Sequence, residues 1–389
     1  MNKRSWILLG TLIIFVFPLF SFAAGGRFVY AGWLPFWKKQ SGALAIALNL
    51  EKLGEISPFS YEVNPDGTLR DKLKINEGFW PGWLSAARDG KVKIIPTVAL
   101  LDGNAIHALL SNERLRLAHE DAIAKLVNDQ NFDGIDVDYE GKPAETKKYF
   151  SLFIKGLALR LHPKKKILSC TLEPRTPPAS LYDKIPKDIQ YANDYAVLNR
   201  YCDEVRVMAY DQGTIDLKLD AQKGNGQLYA PVADTDWVKK VLQETVKTIS
   251  RRKIMLAIPT YGYEYEVSWA NGMTVYRRLR SHTFFQALNR AEAVGVAPAR
   301  NSAGEMSFIY TTSTLAQGVS SALTWFVSST LPASIASSNT TSSVARFVSF
   351  SDAESAARKI ALAKQFGLRG AVFFKLDGDE DPLLWEKMK

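Results

Sequence analysis

The stretch 132–140, FDGIDVDYE, places acidic side chains at alternate positions. Asp136, Asp138 and Glu140 are each two residues apart, and side chains alternate between faces along a strand, so all three carboxyls point the same way. Carboxyls stacked at steps of about 7 Å cannot all ionise at low cost, so neighbours are expected to share a proton. A carboxylic acid that stays protonated near neutral pH can protonate a leaving-group oxygen. The spacing therefore predicts general acid catalysis.

Two structural interpretations of the acidic run are open beside the catalytic one. The carboxyls could form ion pairs at a strand end, or they could bind calcium, whose loops also carry acidic residues at alternate positions. Calcium loops are Gly-rich turns, however, whereas Ile135, Val137 and Tyr139 make this run an apolar strand. Four scattered histidines without an HExxH motif argue against a zinc hydrolase. We predict neither a metal nor an organic cofactor.

The rest of the chain repeats a strand-then-helix pattern that would position these carboxyls. Eight apolar, β-rich runs are candidate strands, at 27–33, 55–63, 92–100, 134–139, 166–172, 204–210, 253–260 and 370–376. Helical periodicity occupies the stretches 115–127, 146–161, 236–249 and 353–366. Near-continuous apolar strands suit a parallel sheet that is buried on both faces. The alternation predicts an α/β fold, a (β/α)8 TIM barrel, whose chemistry lies at the C-terminal strand ends.

The seventh and eighth candidate strands are too far apart in the chain for a single helix crossover. We therefore predict a small α+β insertion at 267–345, which divides the barrel into residues 24–266 and 346–389. Strands of the insertion are expected at 307–311 and 346–349. The Ser/Thr-rich stretch 313–343 is expected to form loops. Asn339 begins a three-residue match to a glycosylation acceptor, a match that is common by chance.

The first residues have the layout of a secretory signal peptide. Lys3 and Arg4 precede an apolar run at 6–20, and the SFA at 21–23 is a small-x-small cleavage site. Cleavage after Ala23 would change the net charge from +9 to +7, because two basic residues are lost. An uncleaved anchor is the alternative, although the run is shorter than the roughly 20 residues of a spanning helix. We expect a secreted or wall-associated monomer with no membrane contact after cleavage and no nucleic-acid partner.

The acidic run resembles the DGxDxDxE signature of the family 18 glycoside hydrolases, the chitinase family. Its fixed positions are all matched, by Asp133, Gly134, Asp136, Asp138 and Glu140. The MAYD at 208–211 is similar to that family's MxYD segment on the sixth strand, and the predicted insertion has the same place in the chain. The segments 31–37 and 57–59 resemble the branch that includes bacterial cell-wall and spore-associated members.

The resemblance implies a retaining hydrolase of β-1,4 bonds next to N-acetylglucosamine. Glu140 would act as general acid and then as general base. Asp138 would hydrogen-bond the N-acetyl nitrogen, so that the acetamido oxygen attacks the anomeric carbon and an oxazolinium ion forms. Asp136 would share a proton with Asp138 when Asp138 faces away, and Tyr210 and Asp211 would contact the acetamido group and the developing positive charge. This substrate-assisted chemistry is an exception to the usual pair of catalytic carboxylates.

Side chains near strand ends are candidates for substrate contacts, with core packing as the alternative for each. The substrate-binding residues that we predict are Trp33, Met208, Tyr261, Phe374 and Glu173. Further candidates for the groove are Trp37, Trp80, Trp83, Tyr263 and Arg175. Family members usually carry a Trp where this chain has Phe374, which offers a smaller apolar face. A Gly-rich segment often found after the third strand is replaced here by 96–100.

The sequence leaves open which substrate is used and whether the protein is catalytic. Chitin-type oligomers are the expected substrate, and the glycan strands of peptidoglycan and glycoprotein glycans present the same acetamido group. A barrel that binds sugar without catalysis is a different class, and a structural wall protein is a third. Sugar-binding relatives typically lose the acid Glu or its neighbouring Asp, whereas this chain keeps Glu140 and Asp138.

Two further residues carry structural expectations. Cys170 lies inside the fifth candidate strand and Cys202 precedes the sixth, at what looks like the other end of its neighbour, so we expect two buried free thiols rather than a disulfide. Arg206 shares a strand face with Met208 and Tyr210. If it is buried, it is expected to pair with a carboxylate lower in the barrel.

Overall fold

The computed structural model describes residues 27–270, 273–311 and 344–389. The predicted signal peptide at 1–23, the stretch 313–343 and Asn339 lie outside the described residues.

The strands, numbered in chain order, are β1 (Val29–Pro35), β2 (Glu55–Val63), β3 (Leu69–Asp71), β4 (Lys93–Ile94), β5 (Thr97–Leu100), β6 (Gly134–Tyr139), β7 (Ile167–Leu172), β8 (Glu204–Val207), β9 (Ile254–Pro259), β10 (Tyr261–Ala270), β11 (Met273–Thr283), β12 (Ala299–Arg300), β13 (Met306–Thr311), β14 (Ala345–Phe350) and β15 (Gly370–Phe374). The helices are α1 (Lys39–Ala47), α2 (Trp80–Asp89), α3 (Gly103–Ser111), α4 (Glu113–Asp129), α5 (Lys147–Leu161), α6 (Pro178–Leu181), α7 (Tyr195–Tyr201), α8 (Leu217–Gly224), α9 (Thr235–Thr245), α10 (Phe284–Ala293), α11 (Ala353–Gln365) and α12 (Leu384–Lys387).

Eight parallel strands close into a barrel, in the order β1-β15-β9-β8-β7-β6-β5-β2, and the pairing of β2 with β1 completes the ring. Each predicted strand contributes to this barrel, so the predicted (β/α)8 fold is confirmed. The third predicted strand divides into β4 and β5, because Pro96 lies between them and has no N–H for a sheet ladder. The sixth ends at Val207, earlier than predicted. Across the described ranges, no helix is both long and apolar enough to span a membrane.

Strand β6 shows how the alternation of side chains builds the barrel. Its outward-facing Tyr139 packs against Phe153 of α5, with ring centroids 5.4 Å apart, and its hydroxyl bonds His119 of α4. Its inward-facing Asp136 is buried in the barrel interior. The apolar face of the strand therefore fixes the barrel against its helices, and that packing turns the acidic face inward.

A cluster of buried charges occupies the lower barrel. Arg206 is fully buried and donates to Glu204 at 2.8 Å, while Glu55 and Asp136 lie 3.7 and 3.5 Å from its guanidinium. The expected pairing of a buried Arg206 with lower carboxylates is thus observed. Burying a charge costs several kcal/mol unless partners compensate it. Removal of either Arg206 or one of its carboxylates would therefore leave an uncompensated charge in the barrel.

A second sheet of five antiparallel strands follows β9, in the order β11-β10-β14-β13-β12. It packs with α10 around a separate small core that includes Phe308, Val348 and Phe350. The predicted limits of the insertion, at 267 and 345, fall within β10 and β14, which belong wholly to this sheet. The predicted domain limits, 24–266, 267–345 and 346–389, therefore stay a prediction.

The expectation of two free thiols is wrong, because Cys170 and Cys202 form a disulfide. The register between neighbouring strands explains it. The amide of Asp203 donates to the carbonyl of Leu168, which draws the start of β8 alongside β7 and leaves the two cysteine Cα atoms 6.2 Å apart. That separation lies within the range that a disulfide spans.

Reduction of this disulfide is expected to lower the stability of the protein. The bond closes a loop over a sequence separation of 32, and chain-entropy arguments assign such a loop about 4 kcal/mol. We expect the denaturant midpoint of the wild type to fall when reductant is added, and that of Cys202→Ala to be low already and unaffected by reductant. A Cys202→Ala protein that still responded to reductant would contradict the assignment.

Candidate functional site

A groove of about 980 Å³ opens over the C-terminal ends of the barrel strands. Its lining includes seven residues that the sequence predicted for the site: Asp138, Glu140, Met208, Tyr210, Asp211, Tyr261 and Phe374. Three other predicted residues do not line it, namely Asp136, Trp33 and Glu173. The acidic run, the segment after β8 and the end of β15 therefore meet at one place.

Asp136 lies beneath the groove and is saturated with hydrogen-bond donors. Its carboxyl oxygens accept from the Trp33 indole at 3.0 Å, the Thr97 hydroxyl at 2.9 Å, and the Ser169 and Thr171 hydroxyls at 2.8 Å each. Arg206 stands 3.5 Å away as a cationic partner. These four donors leave neither oxygen of Asp136 without a partner. No hydrogen bond joins Asp136 to Asp138 within the described residues, and the proton that Asp136 is expected to share when Asp138 faces away stays a prediction.

Trp33 has a different place from the one predicted for it. It is only 1% exposed and donates its indole N–H to Asp136, so it packs inside the barrel and is not a platform for sugar. Trp37, four residues later, is 49% exposed and lines the groove instead. Trp80 and Trp83 are buried on α2 and belong to the core.

Asp138 is the buried carboxyl at the floor of the groove. One of its oxygens, Oδ1, is buried and has no hydrogen-bond partner in the described part of the chain. Burial, followed by the negative charges of Glu140 and Asp136, raises the pKa of Asp138 well above its usual range. A buried acceptor without a hydrogen bond is costly. This oxygen can therefore accept a hydrogen bond from a donor group of a bound ligand.

Glu140 follows β6 directly and its carboxyl faces the groove. The pKa of Glu140 is raised to about 7. Burial is the largest cause, the negative charges of Glu173 and Asp211 contribute to the rise, and the positive charge of Lys142 opposes it. A carboxyl with this pKa is partly protonated at neutral pH. It can donate a proton in one step and accept one in another.

Glu173 and Lys142 fix the backbone that follows Glu140. Glu173 accepts from the amide of Gly141 at 2.7 Å, and the ammonium of Lys142 lies 3.6 Å from its carboxylate. The side chain of Lys142 is completely buried and also donates to the carbonyl of Tyr139. Sequence reasoning proposed Glu173 as a substrate contact and missed Lys142. The only available signal was a lysine two residues after the acid.

Two tyrosines orient Asp211 at the groove edge. The hydroxyls of Tyr261 and Tyr263 both donate to its Oδ1, the second at 2.9 Å, which leaves Oδ2 for a ligand. Asp211 has a φ of +59°, a conformation that Asp tolerates better than most residues. Tyr210, the residue before it, is buried at the groove floor, and burial followed by the charge of Asp138 raises its pKa well above the usual range.

An aromatic cluster forms the floor beside these polar groups. Phe374 stacks on Tyr210 with ring centroids 5.7 Å apart, and meets the edges of Tyr261 and Trp33 at 5.9 Å each. Met208 is buried and also lines the groove. Ser281 and Thr283 of β11 and Gln286 of α10 also line the groove, and sequence reasoning did not identify them. The groove thus combines apolar faces with carboxyls, as carbohydrate sites do.

Comparison with known proteins places the chain in a family. A model of the family described as Glycosyl hydrolases family 18 matches residues 91–379. The chain belongs to this family. The match includes the acidic run and the MAYD segment, so the resemblance that those motifs indicated is confirmed. Within the described residues, no group of three or more His, Cys, Asp or Glu side chains could hold a metal ion.

Proteins similar to this family-18 chain include enzymes named for lysis of the spore cortex and for chitin. The spore cortex-lytic enzyme SleL of Bacillus cereus superposes with a TM-score of 0.68 at 20% identity, over 93% of this chain and 73% of SleL. A chitinase from Chromobacterium violaceum gives 0.67 at 19% identity, over 92% and 97%. The glycosylase YvbX of Bacillus subtilis is 30% identical over 174 residues, 45% of this chain and 46% of YvbX. This chain matches less than half the length of YvbX, and the structural similarities describe the fold.

Proposed function

We propose that the protein is a secreted, retaining glycoside hydrolase that cleaves β-1,4 bonds next to N-acetylglucosamine. The observation that carries this proposal is that two carboxyls in different environments, those of Glu140 and Asp138, line the same groove. Glu140 has a pKa of about 7, and Asp138 has a buried oxygen without a donor beside it. Family membership supports the class of reaction.

Glu140 is the proposed general acid. Its partly protonated carboxyl faces the groove, where it can protonate the oxygen of the leaving sugar. The carboxylate that remains then takes a proton from water in the second step. Retention follows because the bond at the anomeric carbon is displaced twice.

Asp138 and Tyr210 are proposed to hold the acetamido group of the sugar that is attacked. The N–H of that group can donate to the unpartnered Oδ1 of Asp138, and the Tyr210 hydroxyl can donate to its carbonyl oxygen. The carbonyl oxygen then attacks the anomeric carbon and the C–O bond to the leaving sugar breaks. The free oxygen of Asp211 lies at the groove edge, where a negative charge stabilises the positive ring that forms.

Chitin-type oligomers are the substrate proposed first, and the glycan strands of peptidoglycan are the second candidate. The SleL fold and the chitinase fold superpose on this chain equally well, so the fold does not separate them. A sugar-binding barrel without catalysis is disfavoured, because the acid and both acetamido contacts are present and the acid carries a raised pKa.

The direct test is product analysis on N-acetylglucosamine oligomers and on purified peptidoglycan. Mass spectrometry identifies the cleaved bond, and proton NMR of the first products identifies the anomer. We expect the β-anomer to be formed first. An initial α-anomer would contradict the substrate-assisted route, and tight binding without any cleavage would show the sugar-binding alternative to be correct.

The pH profile is expected to lose activity as pH rises through about 7. Glu140 must be protonated to act as acid, and its protonated fraction falls above its pKa of about 7. Glu173 contributes to the raised pKa through its negative charge, so Glu173→Gln is expected to move the basic limb of kcat/KM to lower pH. If the basic limb stayed at the same pH in Glu173→Gln, the loss of activity at high pH would not be due to deprotonation of Glu140.

A further inference from the structure

A second cavity, of about 280 Å³, lies beside the groove on the Glu140 side. Lys142 and Glu173 form the wall that it shares with the loop after Glu140, and Arg175, Tyr191 and Tyr195 form its other parts. The mechanism above uses Glu173 and Lys142 only through their effect on Glu140 and on the loop after it, and it assigns no substrate contact to the residues of this cavity. Of its charged residues, Lys142 lies two residues after the general acid in the chain, and Glu173 accepts a hydrogen bond from the amide of Gly141, which directly follows that acid.

Arg175 is the unusual residue of this cavity. Its guanidinium carbon lies 3.7 Å from the ring centroid of Tyr191 and 3.8 Å from that of Tyr195, so aromatic rings cover both of its faces. One nitrogen donates to the carbonyl of Asn193 at 3.0 Å. Among residues 27–270, 273–311 and 344–389, no carboxylate forms an ion pair with it. A guanidinium held in this way can bind a further group only in its own plane, where its remaining N–H bonds lie.

The charge of Arg175 is not compensated inside the cavity. Glu173 is the one carboxylate among the described residues that line the cavity, and it is already engaged by Lys142 at 3.6 Å, by the amide of Gly141 at 2.7 Å and by Asn193 at 3.1 Å. Arg175 therefore remains as a free cation with an open, planar donor edge. Carboxylates are the groups that match such an edge with two parallel hydrogen bonds.

The proposed function, on which this inference rests, places the leaving sugar near the second cavity. Glu140 must touch the oxygen that leaves, and Gly141 and Lys142 lead directly from Glu140 to the cavity wall. A group on the carbon next to the leaving oxygen stands on the leaving sugar, beside the bond that is cleaved. Such a group is in a position to enter the second cavity.

We infer that Arg175 binds the carboxylate of an acidic leaving sugar, which favours the second candidate substrate, the glycan strand of peptidoglycan in its peptide-free form, over chitin-type oligomers. N-acetylmuramic acid carries a lactyl ether on the carbon adjacent to the oxygen that bonds N-acetylglucosamine. The lactyl carboxylate is free only when no peptide is attached, because a peptide converts it into an amide. An amide-hydrolysing reaction must therefore supply this substrate.

The test compares three soluble substrates with the intact protein. They are peptide-free glycan strands, the same strands with the lactyl carboxyl converted to a methyl ester, and N-acetylglucosamine oligomers of similar length. Arg175→Met removes the charge and keeps an unbranched side chain. We expect it to lower the ratio of kcat/KM on acidic strands to kcat/KM on esterified strands by about tenfold, which corresponds to about 1.4 kcal/mol.

A matched control is available in Arg200. Its guanidinium also lies over a tyrosine ring, that of Tyr201 at 5.3 Å, but it lines neither cavity. Arg200→Met is expected to keep the wild-type ratio, and Arg175→Lys to restore part of it. A wild type that cleaves acidic and esterified strands equally well would overturn the inference and leave the proposed hydrolase intact. A folded wild type that cleaves none of the three substrates would contradict the proposed function itself.

Discussion

Glu140→Gln is expected to lower kcat by about 10⁴-fold on oligosaccharides, while the protein still folds and binds sugar. A sugar alkoxide is a poor leaving group, so the first step needs the proton that Glu140 supplies, and the second step needs the same carboxylate as base. Glutamine has nearly the same shape and can do neither. The loss should reach the upper end of what a single general acid or base contributes, because both steps depend on one residue.

Single-turnover and steady-state assays on N-acetylglucosamine oligomers measure this effect. A matched control is Glu62→Gln, because Glu62 also lies at the groove but its carboxylate is already paired with Arg70 and Lys72. We expect that variant to stay within a few-fold of the wild type. Calorimetric titration with an oligomer should give Glu140→Gln the affinity of the wild type. If Glu140→Gln retained a tenth of the wild-type activity, another residue would have to be the acid.

An aryl glycoside with a good leaving group sharpens the assignment. Its phenolate departs without protonation, so the first step in Glu140→Gln should be much less impaired than with an oligomer. A burst of phenolate followed by slow turnover is the expected result, because the base is still missing in the second step. Equal impairment with both leaving groups would indicate that Glu140 acts by position rather than by proton transfer.

The strand pattern predicted which carboxyls face inward but not what each one does. Period-two alternation in a single strand places Asp136, Asp138 and Glu140 on one face, and the structure agrees. Their roles differ because of residues on other strands. Asp136 receives its donors from β1, β5 and β7, while Asp138 is left with an empty oxygen. Such partners depend on barrel registers, which no single segment encodes.

The same reason explains the other differences from the sequence predictions. The disulfide between Cys170 and Cys202 depends on how β8 begins beside β7. Trp33 and Trp37 look alike in the sequence, yet one is 1% exposed and the other 49%, because β1 ends at Pro35 between them. Local patterns indicate the elements and the side that faces the barrel, whereas the position along the barrel axis depends on the closed sheet.

Asp138→Asn is expected to lower kcat by 10²- to 10³-fold, the range found when one preorganised electrostatic contact to a transition state is removed. The variant keeps the size of the side chain, but a neutral amide cannot supply negative charge beside the oxazolinium ion. Its NH₂ group also competes for the position that the acetamido N–H should occupy. The effect should therefore be specific for the intermediate and small for the substrate in its ground state.

Binding of a thiazoline analogue of the oxazolinium ion separates these two states. We expect Asp138→Asn to bind the analogue about 100-fold more weakly than the wild type, and a plain oligomer with nearly unchanged affinity, because only the analogue resembles the charged ring. Asp102→Asn is the matched control. Asp102 also lies at the groove, but its side chain caps α3 by accepting from Asn104 and Ala105, a role that Asn fulfils equally well. If both ligands lost affinity equally in Asp138→Asn, Asp138 would hold the sugar as a whole, and the buried oxygen without a partner would not be the site where the acetamido group becomes a nucleophile.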